Sequence, residues 1–510
     1  MDKTPTSLPD LLRIRAAERG AHPLLRFGDE TLTYLEVDER TDALARSLQE
    51  RRISAGTRVG VALPNGIPFP LVWLAIAKLG AVMVPLSLKY RVHDLAHVLD
   101  DSHLSLAIGD ADSLPLISEA SPRLAAIHVG DLLHPRADGG PAISPALGPD
   151  TPINIQYTSG TTGLPKGCVV THAYWLGIAA AGNEVARCGP DDVFISVQPF
   201  YYMDPQWVTV LAMLCGGTSV ILPRFSASTF WQDVRKYNAT IFYTLGTMPL
   251  LLLKQPENPA LERAHRVRVA ICSGIPSALH AEIERRFGFP WREAYGSTET
   301  GADLFVALDD AESVGSGAMG LPIATKEARV VDADGKVLGD MQHGELVLRG
   351  KTMMLGYWRN PEATTDKIRD GWLHTGDVVY RDTRGYYHIV GRLKDMIRRS
   401  SENIAAAEVE AVLAMHDDVL EAAAVGVPDE VRGEEVLAYL VLREGRASTP
   451  EQILAFVSQR LAGFKVPRYM QFVDSLPKTP SERVAKSELK RLAGRRYDSA
   501  SRQWTTVAGA

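Results

Sequence analysis

The segment Tyr157-Thr-Ser-Gly-Thr-Thr-Gly-Leu-Pro-Lys-Gly167 gathers three glycines and four Ser/Thr hydroxyls around one lysine. Glycines let successive backbone N–H groups converge on an anion, and hydroxyls add donors. Lys166 supplies a cation, so the chemistry on offer is phosphate binding. The order is not the Walker pattern, in which Ser or Thr follows Gly-Lys. The competing reading is a plain Ser/Gly/Thr surface turn. Gly315-Ser-Gly-Ala-Met-Gly320 does match the dinucleotide fingerprint GxGxxG. No apolar strand precedes it, and Pro322 stands where a helix should open, so we reject it as a nucleotide site. Tyr295-Gly-Ser-Thr-Glu-Thr-Gly301 sets an acid among hydroxyls and glycines, a combination that can hold a hydrated Mg²⁺ bridging to phosphate. In His374-Thr-Gly-Asp377 an aspartate follows a glycine turn and is suited to accept two ribose hydroxyl bonds. Gly391-Arg-Leu-Lys-Asp-Met-Ile397 is followed by Glu402-Asn403. Each of these last clusters, taken singly, reads as an ordinary turn.

The elements that must position these residues alternate. Asp42–Arg52 is an amphipathic helix candidate followed by a strand at Arg58–Leu63. Pro205–Cys215 leads into Thr218–Leu222, and the apolar run Val267–Cys272 precedes a helix-spaced stretch at Ser277–Phe287. This alternation predicts α/β layers around mainly parallel sheet. Beyond about Asp309 strands dominate (Glu327–Val331, Gly344–Arg349, Tyr386–Val390), with a turn signal at Asp334-Gly335. After Gly391 the pattern is mixed, with helices at Ala406–Met415 and Thr449–Leu461 and strands at Ala422–Val427 and Glu435–Val441. Pro135–Pro152 reads as a loop or linker, and Arg495–Ala510 as a loosely held polar tail. Ile67–Leu88 imitates a membrane span but holds Pro68, Pro70, Lys78, Gly80 and Pro85, so a buried helix near Val72–Leu79 and a buried strand near Ala81–Leu86 are expected.

Composition excludes several classes. The 510 residues are 45% hydrophobic and 23% charged, an ordinary globular balance with room for several domains. A formal net charge of −6 disfavours a nucleic-acid binder that relies on bulk positive charge. The four cysteines, Cys168, Cys188, Cys215 and Cys272, are scattered with no CxxC pair, which argues against a zinc site or a disulfide framework. No apolar stretch of a signal peptide lies in the first twenty residues, and a cytoplasmic protein is expected.

In this order, the clusters resemble the adenylate-forming superfamily, in its acyl-CoA ligase branch. The resemblance runs from about Thr31-Leu-Thr-Tyr34 to Leu489 and includes Gly344-Glu-Leu-Val-Leu-Arg-Gly350, Gly356-Tyr-Trp358, and Pro428-Asp429 with Gly433-Glu434. It implies a large N-terminal AMP-binding domain, 1–391, of layered sheets and helices. This domain would have subdomains of about 1–180, 181–308 and a β-rich 309–391. A small mobile α+β domain, 392–510, would hinge near Lys394. The implied chemistry has two halves: a carboxylate attacks the α-phosphate of ATP to give acyl-AMP and pyrophosphate, and the thiol of coenzyme A then displaces AMP. The resemblance gives Thr158, Ser159, Gly160, Thr161, Thr162, Gly163 and Lys166 to the departing pyrophosphate. It lays Tyr295 and Gly296 against adenine, puts Thr298 at the α-phosphate or acyl carboxylate, and gives Glu299 to Mg²⁺. Asp377 and Arg392 would hold the ribose. Tyr202 stands where a histidine is usual and, with Met203 and Trp207, suggests a roomy apolar acid site, unless these residues are simply core. Ser273 and Gly274 would form another wall.

Two departures matter. The family's C-terminal Ser/Thr-Gly-Lys supplies the lysine that bridges carboxylate and α-phosphate; here the run is Thr479-Pro-Ser-Glu-Arg-Val-Ala-Lys486. Glu482 replaces the glycine and Arg483 the lysine, keeping the charge but enlarging and re-aiming the donors. The resulting expectation is weak or absent adenylation, with thioester formation from an acyl-adenylate supplied by a separate adenylating ligase. The alternatives are a complete ligase in which Arg483, Lys486 or Lys478 serves, or a stand-alone enzyme loading a carrier protein. The other departure is Ser401, beside Ser400, where the family has glycine lining the pantetheine tunnel. Expected partners are the acid or its adenylate and CoA, with no nucleic acid, no membrane span, and a monomer or homodimer.

Overall fold

The computed structural model describes residues 4–133, 145–158, 165–400, 402–479 and 484–507. The chain forms two compact units, Met1–Ala328 with Leu348–Leu373, and Arg329–Val347 with His374–Ala510.

In the first unit one sheet runs in the order Ala318–Pro322, Gly301–Phe305, Trp291–Ser297, Val269–Ser273, Ile241–Leu245, Val193–Ser196, Thr218–Ile221, Pro23–Phe27, Glu30–Thr33. Its middle is parallel, from Trp291–Ser297 through to Pro23–Phe27. The second sheet has the order Gly356–Tyr357, Lys166–Thr171, Pro152–Thr158, Val82–Pro85, Arg58–Ala62, Leu106–Gly109, Ala126–His128. Its four strands from Val82 to His128 in that order are parallel, because helices rather than hairpins connect them. The alternation legible in the sequence is therefore real α/β layering.

Local chemistry explains the elements. Tyr34–Glu50 begins eight residues earlier than its strongest amphipathic stretch, because Thr33 and Glu36 form a reciprocal capping box. The apolar stretch becomes helix Pro68–Lys78 and strand Val82–Pro85, as expected. Lys78 is buried at its end and satisfied by Asp38 at 2.6 Å and Asp42 at 2.7 Å, both from the neighbouring helix. No helix among the described residues is long and apolar enough to cross a membrane. Gly315–Gly320 runs into strand Ala318–Pro322 rather than opening a helix, which agrees with its rejection as a dinucleotide loop.

In the second unit, Tyr387–Arg392 lies antiparallel to Trp372–Arg381, and Val331 bridges Val337 around the Asp334-Gly335 turn. A further sheet has Val419–Asp429 beside Gly433–Leu442, flanked by Met396–Arg399 with Glu402–Ala405 on one side and Tyr469–Phe472 on the other. Helices Ala406–Ala414 and Pro450–Ser458 bury Val409, Leu413, Ile453 and Val457 in the same core, giving a small α+β domain. The expected loose tail is instead a hairpin, Gly494–Asp498 with Gln503–Val507, added to this sheet. Tyr497 and Trp504 face each other across it, ring centroids 5.5 Å apart, and Tyr497 is buried. Such a cross-strand aromatic pair holds strands whose other residues are polar.

Candidate active site

Thr158 ends one strand and Lys166 begins the next, and the two are register partners in an antiparallel pair. The residues between them assigned to phosphate, Ser159, Gly160, Thr161, Thr162 and Gly163, lie outside the described residues. Helix Val92–Ser102 pins both ends of the hairpin. His97 donates from Nε2 to the Pro165 carbonyl at 3.1 Å, and the Tyr157 hydroxyl donates to Asp101. The Lys166 ammonium lies 5.4 Å from the centre of the Tyr357 ring, within cation–π range.

The strand Trp291–Ser297 carries Tyr295 and Gly296, then turns through Thr298 and Glu299 into Gly301–Phe305. Only glycine fits at two places here. A Cβ on Gly296 would fall 2.0 Å from the Gly301 carbonyl oxygen, and Gly301 has φ +81°. The turn is held from several sides: the Tyr174 hydroxyl donates to the Thr298 carbonyl at 2.9 Å, and the Met354 amide to the Glu299 carbonyl at 2.9 Å. The Tyr357 hydroxyl donates to Glu299 Oε1 at 3.0 Å, while Oε2 accepts no hydrogen bond from the described residues. Buried Cys168 lies close by, and burial followed by the Glu299 carboxylate pushes its thiol up. No group of three or more metal-ligating side chains exists among the described residues. One half-free carboxylate fits a magnesium ion that takes its remaining ligands from phosphate and water, the usual habit of this ion.

The residues expected on the acid side are fixed by buried polar groups. Ser273 donates to the Ala294 carbonyl at 2.6 Å and so accepts from the Tyr243 hydroxyl at 2.9 Å. Both oxygens of Glu293 receive backbone N–H groups, from Gly274 at 2.6 Å and Ile275 at 2.7 Å. Burial outweighs these two donors and pushes the Glu293 carboxyl up to about 8. Gln206 donates to the carbonyls of Phe200 and Tyr202, and accepts from Asn154 and Gln156. That network sets the loop before helix Met203–Cys215. Trp207 is 5% exposed, with its ring edge-on to Tyr243 at 5.2 Å. Met203 receives the Tyr174 hydroxyl at 3.8 Å, and Tyr202 packs edge-on to Tyr201.

In the second unit Asp377 and Arg392 are register partners, joined by an ion pair of 2.7 Å. Asp377 is nearly buried and its amide donates to Thr375 Oγ1. Glu345 holds the turn before it, accepting from the Gly376 amide and pairing with His374 at 2.7 Å. Lys394 lies in the short 3₁₀ turn Leu393–Asp395. Ser400 adopts φ +55° in the turn joining Met396–Arg399 to Glu402–Ala405. Ser401 and Arg483 lie outside the described residues. The two lysines near Arg483 in sequence are engaged within the unit, Lys486 with Glu410 and Lys478 with Glu421, each at 2.7 Å.

Several residues escape sequence reasoning. Tyr357 stands in a segment that matches the family, but nothing in its spacing points at Glu299. Tyr174 and Glu293 carry no signal at all. Lys326, its side chain fully buried against Asp303, lies just before the expected strand Glu327–Val331 and carries no signal of its own.

Comparison with known proteins agrees with this geometry. The AMP-binding enzyme family matches residues 12–358, and the AMP-binding enzyme C-terminal domain matches residues 408–483. The sulfoacetate–CoA ligase of Cupriavidus necator is 36% identical over 500 residues, 95% of this chain and 97% of that one. The oxalate–CoA ligase of Arabidopsis thaliana is 32% identical over 478 residues, 90% of this chain and 92% of that one. Among solved structures, the o-succinylbenzoate CoA synthetase of Bacillus subtilis with its acyl-adenylate superposes with a TM-score of 0.87 at 26% identity, covering 95% of this chain and 98% of that one. The same synthetase, in complex with ATP and magnesium, gives a TM-score of 0.86 at 27% identity over 94% of this chain and 99% of that one. The chain belongs to the AMP-binding enzymes of the adenylate-forming superfamily, and within them to the acyl-CoA ligases that work through an acyl-adenylate.

Proposed function

We propose that the chain is a complete ATP-dependent acyl-CoA ligase. The observation that carries this reading is the Glu299 carboxylate, steadied by Tyr357 at one oxygen and unbonded at the other among the described residues, with the Lys166 ammonium over the same Tyr357 ring. A magnesium ion held there would neutralise phosphate charge during adenylation. Formation of the thioester from a ready acyl-adenylate releases no pyrophosphate and makes no such demand. In the first half-reaction the acid's carboxylate oxygen attacks the α-phosphorus, the new P–O bond replaces the bond to pyrophosphate, and Lys166 offsets the charge leaving. Thr298, its carbonyl held by Tyr174, supplies a hydroxyl to the reacting anions, and Arg483 supplies a cation. With Lys478 and Lys486 each engaged by a glutamate, Arg483 is the residue we assign to that task. In the second half-reaction the CoA thiolate forms the C–S bond and AMP leaves, its ribose held by Asp377 and Arg392. Turning of the small domain about Lys394, and passage of pantetheine by Ser400 and Ser401, belong to this proposal.

The reading restricted to thioester formation retains one observation: Glu482 and Arg483 stand where glycine and lysine are usual. Release of pyrophosphate with ATP and the cognate acid separates the two. For the acid itself we propose a compact, polar carboxylate. The Tyr243 and Ser273 hydroxyls on the acid side and the buried Trp207 behind them support this, as do the acids named for two relatives, sulfoacetate and oxalate. A melting-temperature screen that sets these two acids against ferulate and octanoate, each with ATP, tests it; preference for octanoate contradicts it.

A further inference from the structure

Asp303 and Lys326 have fully buried side chains, Nζ to Oδ1 3.5 Å apart. Removing two ions from water costs several kcal/mol each, and an apolar pair of similar volume usually folds as well or better. A stability role therefore does not account for them. Their bonds point to another task. Lys326 donates to the Thr300 carbonyl at 2.5 Å and to the Thr352 carbonyl at 3.1 Å. Thr300 donates its hydroxyl to Asp303 and receives that of Ser297 at 2.9 Å. Thr300 follows Glu299 directly, while Thr352 stands two residues before Met354, whose amide holds the Glu299 carbonyl. Tyr357, the donor to the Glu299 carboxylate, lies three residues further on. Lys326 thus ties together the turn that carries Glu299 and the segment that aims it. Its stem passes close over Gly350, where a Cβ would meet Lys326 Cδ at 2.6 Å.

We propose that the buried Asp303–Lys326 pair is a positioning device that sets the Glu299 carboxylate for the magnesium–ATP complex, locking the Ser297–Thr300 turn to the 352–357 segment. The inference rests on Glu299 being the residue that meets the metal. The ammonium donates to two carbonyls from separate segments and lies 3.5 Å from the Asp303 carboxylate, a geometry that a hydrophobic replacement leaves packed but untied.

The test is ATP affinity with and without Mg²⁺, measured by calorimetry on the full chain, for the wild type, Lys326→Met, and the double variant Asp303→Val with Lys326→Met. Removing both charges keeps the core dry, so the double variant separates folding from positioning. We expect the wild type to bind ATP more tightly with Mg²⁺. Both variants should lose about tenfold or more of that gain. Affinity for AMP without metal should stay within about twofold, and the double variant should melt no lower than Lys326→Met. A folded double variant with the full Mg²⁺-dependent gain overturns the positioning role alone. A wild type with no gain at all overturns the metal role of Glu299, and the inference falls with it.

Discussion

Tyr357→Phe isolates one hydrogen bond. The hydroxyl donates to Glu299 Oε1 at 3.0 Å, and the ring separately faces the Lys166 ammonium at 5.4 Å. Phenylalanine keeps the ring and its cation–π contact and deletes only the donor. A hydrogen bond to a charged group contributes about 1.5–3 kcal/mol, which corresponds to about ten- to 150-fold in rate or affinity. The carboxylate is only half-buried, so water replaces part of the lost bond and the lower end of that range is expected. The assay is ATP–pyrophosphate exchange with the cognate acid across a Mg²⁺ titration. About a tenfold fall is predicted at limiting Mg²⁺, partly recovered at high Mg²⁺. Thioester formation from synthetic acyl-adenylate and CoA serves as the internal control and should change less than about twofold, because no pyrophosphate leaves in that step. Exchange that stays at the wild-type level refutes the reasoning. So does an equal fall in both half-reactions, which would mark a general loss of structure.

Two predictions concern pH. Burial raises the Glu293 carboxyl to about 8 from an ordinary 4.5, so the folded state holds a proton that the unfolded state gives up. Stability from this group is complete below pH 4.5 and lost as pH rises through 8, amounting to roughly 3–5 kcal/mol; Glu293→Gln should flatten that part of the profile in denaturant melts. Burial lowers His172 to about 4 from 6.5, and its Nδ1 accepts the Leu8 amide. Here stability is present above pH 6.5 and lost as pH falls through 4, about 3 kcal/mol in all. His172→Asn keeps the acceptor and should remove the dependence. Arg483→Lys should raise the rate of pyrophosphate exchange if the longer, planar guanidinium aims its donors poorly, with thioester formation from supplied acyl-adenylate unchanged.

Residues whose partners are near in sequence were legible there; those joined across the fold were not. Ser277–Phe287 shows helical spacing and is a helix over those same residues. Lys78 was readable as a misfit in an apolar run, but its partners Asp38 and Asp42 lie a helix away. The tail reads as loose because arginine, serine, threonine and alanine make up most of it, while the pair that orders it, Tyr497 and Trp504, forms only once the hairpin does. At the site, the glycines and acid of 295–301 read as an ordinary turn taken singly, and only their order with the other clusters carries the resemblance. The turn's supports, Tyr174, Asp303, Lys326 and Tyr357, come from other elements and have no period to betray them. Lys326 in particular has nothing in its sequence neighbourhood that points to Asp303, and only the folded chain shows it buried there. Trp207 reads as core or as lining from aromatic content alone, and only the folded chain shows its ring buried edge-on against Tyr243.

The central claim is that this chain performs adenylation itself. Pyrophosphate release by the wild-type enzyme with ATP, Mg²⁺ and each acid of the screen, run beside thioester formation from the matching synthetic acyl-adenylate and CoA, tests it most directly. The expected result is acid-dependent pyrophosphate release that is abolished by Glu299→Ala, together with CoA-thioester formation from both starting points. Thioester formation from the supplied acyl-adenylate, with no pyrophosphate released for the acid of that same adenylate, would contradict it.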